Sequence, residues 1–142
     1  MKLKIKKLNP DAKIPAYARE NDAGFDIFSI EQYTLKPNER KSFSTGIAFE
    51  LEPGFVALVW DKSGLSFKHG IKTMGGVIDS NYRGEIFIAL LNTSKTDYEI
   101  EKGDKIANIL IQPVICANIE EIDDLPANTS RGDKGFGSSG RK

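Results

Sequence analysis

Gly75-Gly76-Val77-Ile78-Asp79-Ser80-Asn81-Tyr82-Arg83-Gly84-Glu85 sets one carboxylate and one phenol ring inside a β-hairpin that glycines punctuate on both sides. Gly75, Gly76 and Gly84 let the backbone take positive φ or approach a flat ligand closely. Val77 and Ile78 anchor the incoming strand, and Asp79 follows them at a point where its carboxylate meets water. The hairpin has the makings of a substrate pocket.

Strand-forming runs extend from this hairpin over residues 71–78 and 84–92. They recur over 2–8, 24–29, 41–51, 54–60 and 105–116, with shorter pieces around 33 and 98. Turn chemistry separates them at Pro37-Asn38, Pro53-Gly54, Asn92-Thr93-Ser94 and Gly103-Asp104. No segment holds helical periodicity for three turns, so the pattern predicts an all-β fold, a jelly-roll-like sandwich or barrel. The best place for a helix is 64–69, one or two turns after Ser63, a capping-type residue. Residues 1–125 read as the β domain. From Pro126 to Lys142, Asn, Thr, Ser, Gly and charges replace strand formers, which predicts a flexible glycine-rich arm.

A chain of 142 residues is long enough for its own core. Its 20 basic residues balance 20 acidic ones, so no global field attracts nucleic acid or an anionic membrane, and any anion site must be local. The single cysteine, Cys116, excludes an intramolecular disulfide and reads as a reduced, buried thiol. Lysines alternate with Leu3, Ile5 and Leu8 where a signal peptide would have an apolar block, and no stretch reaches membrane-spanning length, so the expected location is cytoplasmic. In that compartment the sequons at Asn92 and Asn128 and the Arg131-Gly132-Asp133 tripeptide carry no meaning. The lone His69 offers neither a metal-ligand set nor a triad, and Trp60 reads as a core anchor.

The opening hairpin resembles the deoxyuridine-triphosphate-binding hairpin of the trimeric dUTP nucleotidohydrolases (dUTPases): Gly, aliphatic, Ile, Asp, two variable residues, Tyr, a residue and Gly. Four more segments resemble that family's motifs in the same order along the chain. They are Ala23-Gly24-Phe25-Asp26-Ile27, Lys62-Ser63-Gly64-Leu65, Gly103-Asp104-Lys105-Ile106-Ala107-Asn108, and the tail from Arg131 through Gly135-Phe136-Gly137-Ser138-Ser139-Gly140. The resemblance spans residues 23–140.

The resemblance implies hydrolysis of dUTP to dUMP and pyrophosphate with Mg²⁺, which supplies dUMP for dTMP synthesis and limits uracil in DNA. Asp79 would be the base that activates water for attack on the α-phosphorus. Tyr82 would pack on the deoxyribose and reject a 2′-hydroxyl, with backbone groups around Gly76 and Tyr82 reading uracil. Lys62, Ser63, Gly64 and Asn108 would meet the phosphates, as would Arg131, Gly137, Ser138 and Ser139 from the arm, with Phe136 stacking on the base. Asp26 would help hold the Mg²⁺ shell through water. The partners implied are dUTP and two further copies of the chain, in a homotrimer whose subunits share each site. Lys62 stands where Arg is usual, Asn108 where a longer amide is common, and Lys134 where Gly is common. A dCTP deaminase of the same fold and a nucleotide-gated regulatory protein are the alternatives. Tyr82 and the phenylalanine-bearing tail favour the hydrolase over the first, and intact Asp79 and Arg131 favour it over the second.

Overall fold

Antiparallel pairing organises the chain into four small sheets. The computed structural model describes residues 1–126, 129–130 and 132–133. Its elements are β1 (Lys4–Lys7), β2 (Gly24–Phe28), β3 (Tyr33–Leu35), β4 (Arg40–Ser44), β5 (Ile47–Glu50), β6 (Phe55–Trp60), α1 (Ser63–His69), β7 (Ile71–Met74), β8 (Val77–Ile78), β9 (Phe87–Asn92), β10 (Tyr98–Ile100) and β11 (Lys105–Pro113). The largest sheet has the order β2-β11-β6-β8 and a second has β4-β9-β7, while β1 pairs with β5 and β3 with β10. The fold is the all-β, jelly-roll-like architecture expected. No helix among the described residues is long and apolar enough to cross a membrane.

Two of the expected strands are each two strands in different sheets. The run 41–51 breaks at Thr45-Gly46, where Gly46 takes φ 67°, so β4 and β5 pair with different partners. A β-carbon on Gly46 would come within 2.9 Å of Ala12 and Asn9. The run 71–78 breaks at Gly75 and Gly76, with φ of 69° and 110°, and carries the chain from the sheet of β7 to the sheet of β8. Hydrophobic alternation is blind to such a switch, because both halves keep the strand period. The run 84–92 starts later than expected, at Phe87, since the Glu85 carboxylate accepts the Gly46 N–H (2.8 Å) and Ser44 hydroxyl bonds.

Phe25, Ile27, Phe43, Ile88, Leu90, Ile106 and Ile109 belong to one buried cluster filled from several sheets. Each such side chain removed from water contributes about 1.5–3 kcal/mol. Trp60 is not part of it: the indole is 57% exposed, because β6 ends there and its last residue faces a cavity. Cys116 is also exposed, since β11 stops at Pro113 and the chain beyond leaves the sheet. Ile115 and Ile119 on that segment lie almost fully in solvent.

The Asn92 turn has a structural task. Fully buried, its amide donates to the carbonyls of Leu35 (2.9 Å) and Thr96 (2.8 Å), and its oxygen accepts from the Ser94 N–H (2.9 Å) and hydroxyl (2.7 Å). Replacing Asn92 by Ala strands the buried Leu35 carbonyl and removes the links to Ser94 and Thr96, and is expected to lower stability by about 3 kcal/mol. Urea unfolding checks this; a midpoint within error of the parent would show the turn to be self-supporting.

Candidate active site

The site residues read from the sequence divide between two cavities that share no lining residue. One, of about 260 Å³, lies between β8, β9 and the hairpin tip and is lined by Val59, Gly76, Asp79, Tyr82 and Glu85 among others. The other, of about 900 Å³, lies between the loop before β2 and the start of α1, and includes Asp26, Lys62, Ser63, Gly64 and Asn108. Arg131, Phe136, Gly137, Ser138 and Ser139, with Lys134, lie outside the described residues.

At the hairpin, Asp79 through Tyr82 close a turn in which the Tyr82 N–H donates to the Asp79 carbonyl (3.1 Å). Asp79 is exposed at the end of the short strand β8. The Tyr82 hydroxyl donates to the Glu85 carbonyl (2.9 Å), which folds the ring back over Gly84. A β-carbon on Gly84 would stand 2.6 Å from ring carbon Cζ, so the flat partner that requires this glycine is Tyr82 itself. Gly76 has a similar explanation. Its carbonyl accepts the Val59 N–H (2.8 Å), and a β-carbon there would press on the Val59 carbonyl oxygen at 2.9 Å. Packing accounts for Gly84, and packing with a positive φ of 110° accounts for Gly76, of the two explanations the sequence offers. Glu85, to which the sequence reading gave no role, fastens the hairpin to the β4–β5 corner through Ser44 and Gly46.

The larger cavity is built on a row across three strands. Asp26 on β2 faces Asn108 on β11, which in turn faces Trp60 on β6. Directly opposite residues in antiparallel strands share a face. The row reaches the cavity because β11 carries a bulge between Lys105 and Ala107. Strict alternation from buried Ile106 would turn Asn108 inward; with the extra residue, Ala107 and Ile109 fill the core and Asn108 points outward. Gly24 leaves room for this amide, since a β-carbon there would collide with it and with Leu110 Cδ1 at 2.8 Å.

Asp26 is 2% exposed. Lys62 Nζ donates to its Oδ1 at 2.6 Å and Asn108 Nδ2 at 3.2 Å, while Lys105 Nζ lies 2.7 Å from Oδ2, close enough for an ion pair but not aligned as a hydrogen bond. Burial pushes the Asp26 carboxyl up, but the contacts with Lys105 and Lys62 outweigh it and hold the group below its ordinary value. Asp61, beside Lys62, is likewise desolvated yet held low by Lys72 and by the N–H (2.8 Å) and hydroxyl (2.9 Å) of Thr73. Ser63 is the first residue of α1 and not its cap; Lys62 occupies the cap position and makes no side-chain cap bond. The Ser63 hydroxyl thus has no hydrogen-bond partner among the described residues, and Gly64 opens onto empty space.

No group of three or more metal-ligating side chains occurs among the described residues. The oxygens of Asp26 face two ammonium groups, so this carboxylate reaches the water shell of a metal only if a lysine releases it. The sequence places Asp26 toward Mg²⁺ through water; in the structure its carboxylate is the counter-ion of Lys62 and Lys105. The sequence reading also overlooks Lys105 and Arg19, the latter on the cavity wall, for which no motif gives a signal.

Because the folded state favours ionised Asp26, its contribution to stability is complete above about pH 4 and fades as pH falls through the lowered folded value. Asp26→Asn is expected to cost about 3 kcal/mol at pH 7, the low end for breaking a buried pair because both lysines are partly in water. The gap from the parent should close below about pH 4, read from urea midpoints across pH. A gap of constant size would assign the loss to packing.

The dUTPase family model matches residues 10–140. Deoxyuridine 5′-triphosphate nucleotidohydrolase of Nautilia profundicola is 51% identical, the match covering 99% of this chain and 100% of that protein. The enzyme of the same name from Clostridium novyi is 46% identical, covering 99% of each. Among solved structures, a variant of the Staphylococcus bacteriophage 80alpha dUTPase with dUpNHpp superposes with a TM-score of 0.92 at 30% identity, covering 98% of each chain. A variant of the phage phi11 dUTPase, whose structure describes coordination of a structural Mg(II) ion, gives a TM-score of 0.83 at 26% identity over 88% of this chain and 99% of that one. Matched by the family model over residues 10–140 and by relatives and a solved structure over nearly the whole length, the chain belongs to the dUTPase family.

Proposed function

We propose that this protein hydrolyses dUTP to dUMP and pyrophosphate, with Asp79 as the base. The observation that carries the reading is the exposed Asp79 carboxylate at the tip of a hairpin that also holds Tyr82, in a chain 51% identical to a deoxyuridine 5′-triphosphate nucleotidohydrolase. The carboxylate takes a proton from water as the water oxygen bonds to the α-phosphorus, and the bond from that phosphorus to the α,β-bridging oxygen breaks. Competing acids are poorly disposed: Asp26 holds two lysines, and Glu85 holds Ser44 and Gly46.

The smaller cavity suits the base and sugar, with Tyr82 against the deoxyribose; backbone groups of the hairpin would read uracil. The larger one suits the triphosphate, which Lys62, the Ser63 hydroxyl, the Gly64 N–H and Asn108 would hold. Mg²⁺ enters as the counter-ion that the triphosphate brings, since hard cations keep most of their waters and need few protein ligands. No cluster of three or more metal-ligating side chains offers it a protein-only cage among the described residues.

Because the two cavities are separate within one chain, a complete site would join the hairpin of one copy to the cavity of another, in a homotrimer. The exposed apolar side chains Ile115, Ile119 and Leu125 are surface that such neighbours would cover. The arm from residue 126 onward would then close over the nucleotide through Arg131, Phe136, Gly137, Ser138 and Ser139, distinct from the β domain of residues 1–125.

Incubation with each deoxynucleoside triphosphate and Mg²⁺, followed by separation of products, tests the reading: dUMP and pyrophosphate are expected from dUTP alone. Conversion of dCTP to dUTP would select a deaminase instead. Asp79→Asn is expected to lose a factor of about 10²–10⁴ in turnover while binding a non-hydrolysable dUTP analogue as before. Near-parent turnover would remove Asp79 from the base role.

Gly84→Ala displaces the Tyr82 ring from its seat and is expected to narrow the preference for dUTP over UTP, seen in the ratio of the two kcat/KM values. A ratio unchanged in a folded variant would mean that the sugar is selected elsewhere.

A further inference from the structure

The 900 Å³ cavity carries three carboxylates, and each is already engaged. Asp26 meets Lys62 and Lys105, Asp61 meets Lys72 and Thr73, and Asp22 accepts the Arg19 N–H through Oδ2 at 2.9 Å. The guanidinium of Arg19, on the same cavity wall and exposed, makes neither an ion pair nor a hydrogen bond among the described residues. Its backbone is fixed. The Asp22 N–H returns a bond to the Arg19 carbonyl at 3.3 Å, Asn21 between them takes φ 67°, and the loop is tied to β2 where the Asp26 N–H donates to the Ala16 carbonyl at 3.3 Å.

The other arginines of the described residues are committed or distant. Arg83 donates to the carbonyls of Ser80 (2.6 Å) and Tyr82 (2.8 Å) at the hairpin tip, and Arg40 opens β4 opposite Leu91. Lys62, the other cation lining the cavity, is a point charge that already shares its ammonium with Asp26. Among the described residues, a polyphosphate entering here would find one planar, uncommitted fork, that of Arg19.

We infer that Arg19 is a polyphosphate-binding residue, its guanidinium pairing with two non-bridging oxygens of the outer phosphates and supplying the bidentate contact that Lys62 cannot. The identification of the nucleoside rests on the dUTPase reading; the polyphosphate contact does not.

Trp60, the only tryptophan of the chain, is half-exposed in the same cavity, so its fluorescence reports occupancy without turnover. The full-length protein would be titrated with inorganic tripolyphosphate, with the imido analogue dUpNHpp and with dUMP, and calorimetry would supply the same constants where the indole is silent. Arg19→Gln is expected to weaken tripolyphosphate and dUpNHpp by about tenfold or more and to leave dUMP within about twofold. Arg19→Lys should restore only part of the loss, since it returns charge without the fork. Unchanged affinity for tripolyphosphate and dUpNHpp in Arg19→Gln would overturn the assignment, as would an equal loss for dUMP, which marks a general disturbance of the loop. If the parent leaves dUTP intact while tripolyphosphate binding still depends on Arg19, the hydrolase reading falls and the anion contact stands.

Discussion

A carboxylate almost closed to water, Asp26, dictates how the larger cavity is assembled. Left alone in such a place the group would cost several kcal/mol or take up a proton, so the fold must bring cations to it. It brings Lys62 from the β6–α1 junction and Lys105 from the start of β11, and adds an amide from Asn108. Lys105 and Asn108 come from the strand already paired with β2, whereas Lys62 lies on the loop beyond β6 that strand pairing does not reach. On the other side of the junction Asp61 repeats the device with Lys72 and Thr73 on β7. The short segment between Trp60 and Gly64 is therefore anchored to β2 and β11 on one flank and to β7 on the other, and its free hydroxyl and glycine face the cavity from a fixed frame.

The hairpin is held by a different logic. Glu85 caps the corner at Gly46 with its carboxylate and receives the Tyr82 hydroxyl on its carbonyl, so one residue couples the tip to the core corner and sets the phenol ring. Gly84 gives that ring its seat. The Asp79 carboxylate, in contrast, stands outside this network and in water, as the proposed exchange of a proton with solvent would require. Rigid surroundings and one uncommitted carboxylate are what a site for directed attack by water requires.

Strand content and the hairpin were legible because both are local: period-2 alternation, turn dipeptides and the Gly-aliphatic-Ile-Asp run each declare themselves within ten residues or so. Sheet membership was not. The corners at Gly46 and at Gly75-Gly76 preserve alternation on either side, so residues 41–51 and 71–78 each read as one strand. The bulge at Lys105–Ala107 was hidden too, because Ile106-Ala107 reads as ordinary apolar content, yet it decides that Asn108 faces the cavity. Trp60 and Cys116 misled through composition, which favours burial for both types, while the places where β6 and β11 end are fixed by tertiary pairing. Asp26 was singled out as a site residue, but its cationic partners lie 36 and 79 residues away along the chain, beyond any local pattern.

Lysine at position 62 follows from the demands on that place. An ammonium has three donors arranged tetrahedrally, so one can remain on Asp26 at 2.6 Å while the others turn toward the cavity, where the side chain keeps 31% of its surface in solvent. A guanidinium forks in a plane, and a fork closed on the buried carboxylate would present its remaining donors edge-on and less freely. Splitting the work is the alternative in the proposed reading: a compact cation that satisfies the buried acid and would still touch the ligand, and a planar one on the surface loop that makes no other commitment among the described residues. In that division an incoming anion need not strip Lys62 from Asp26, which would leave a buried charge partly uncompensated and set binding against stability. The same acid that stabilises the empty cavity then holds its cation in place as the ligand arrives.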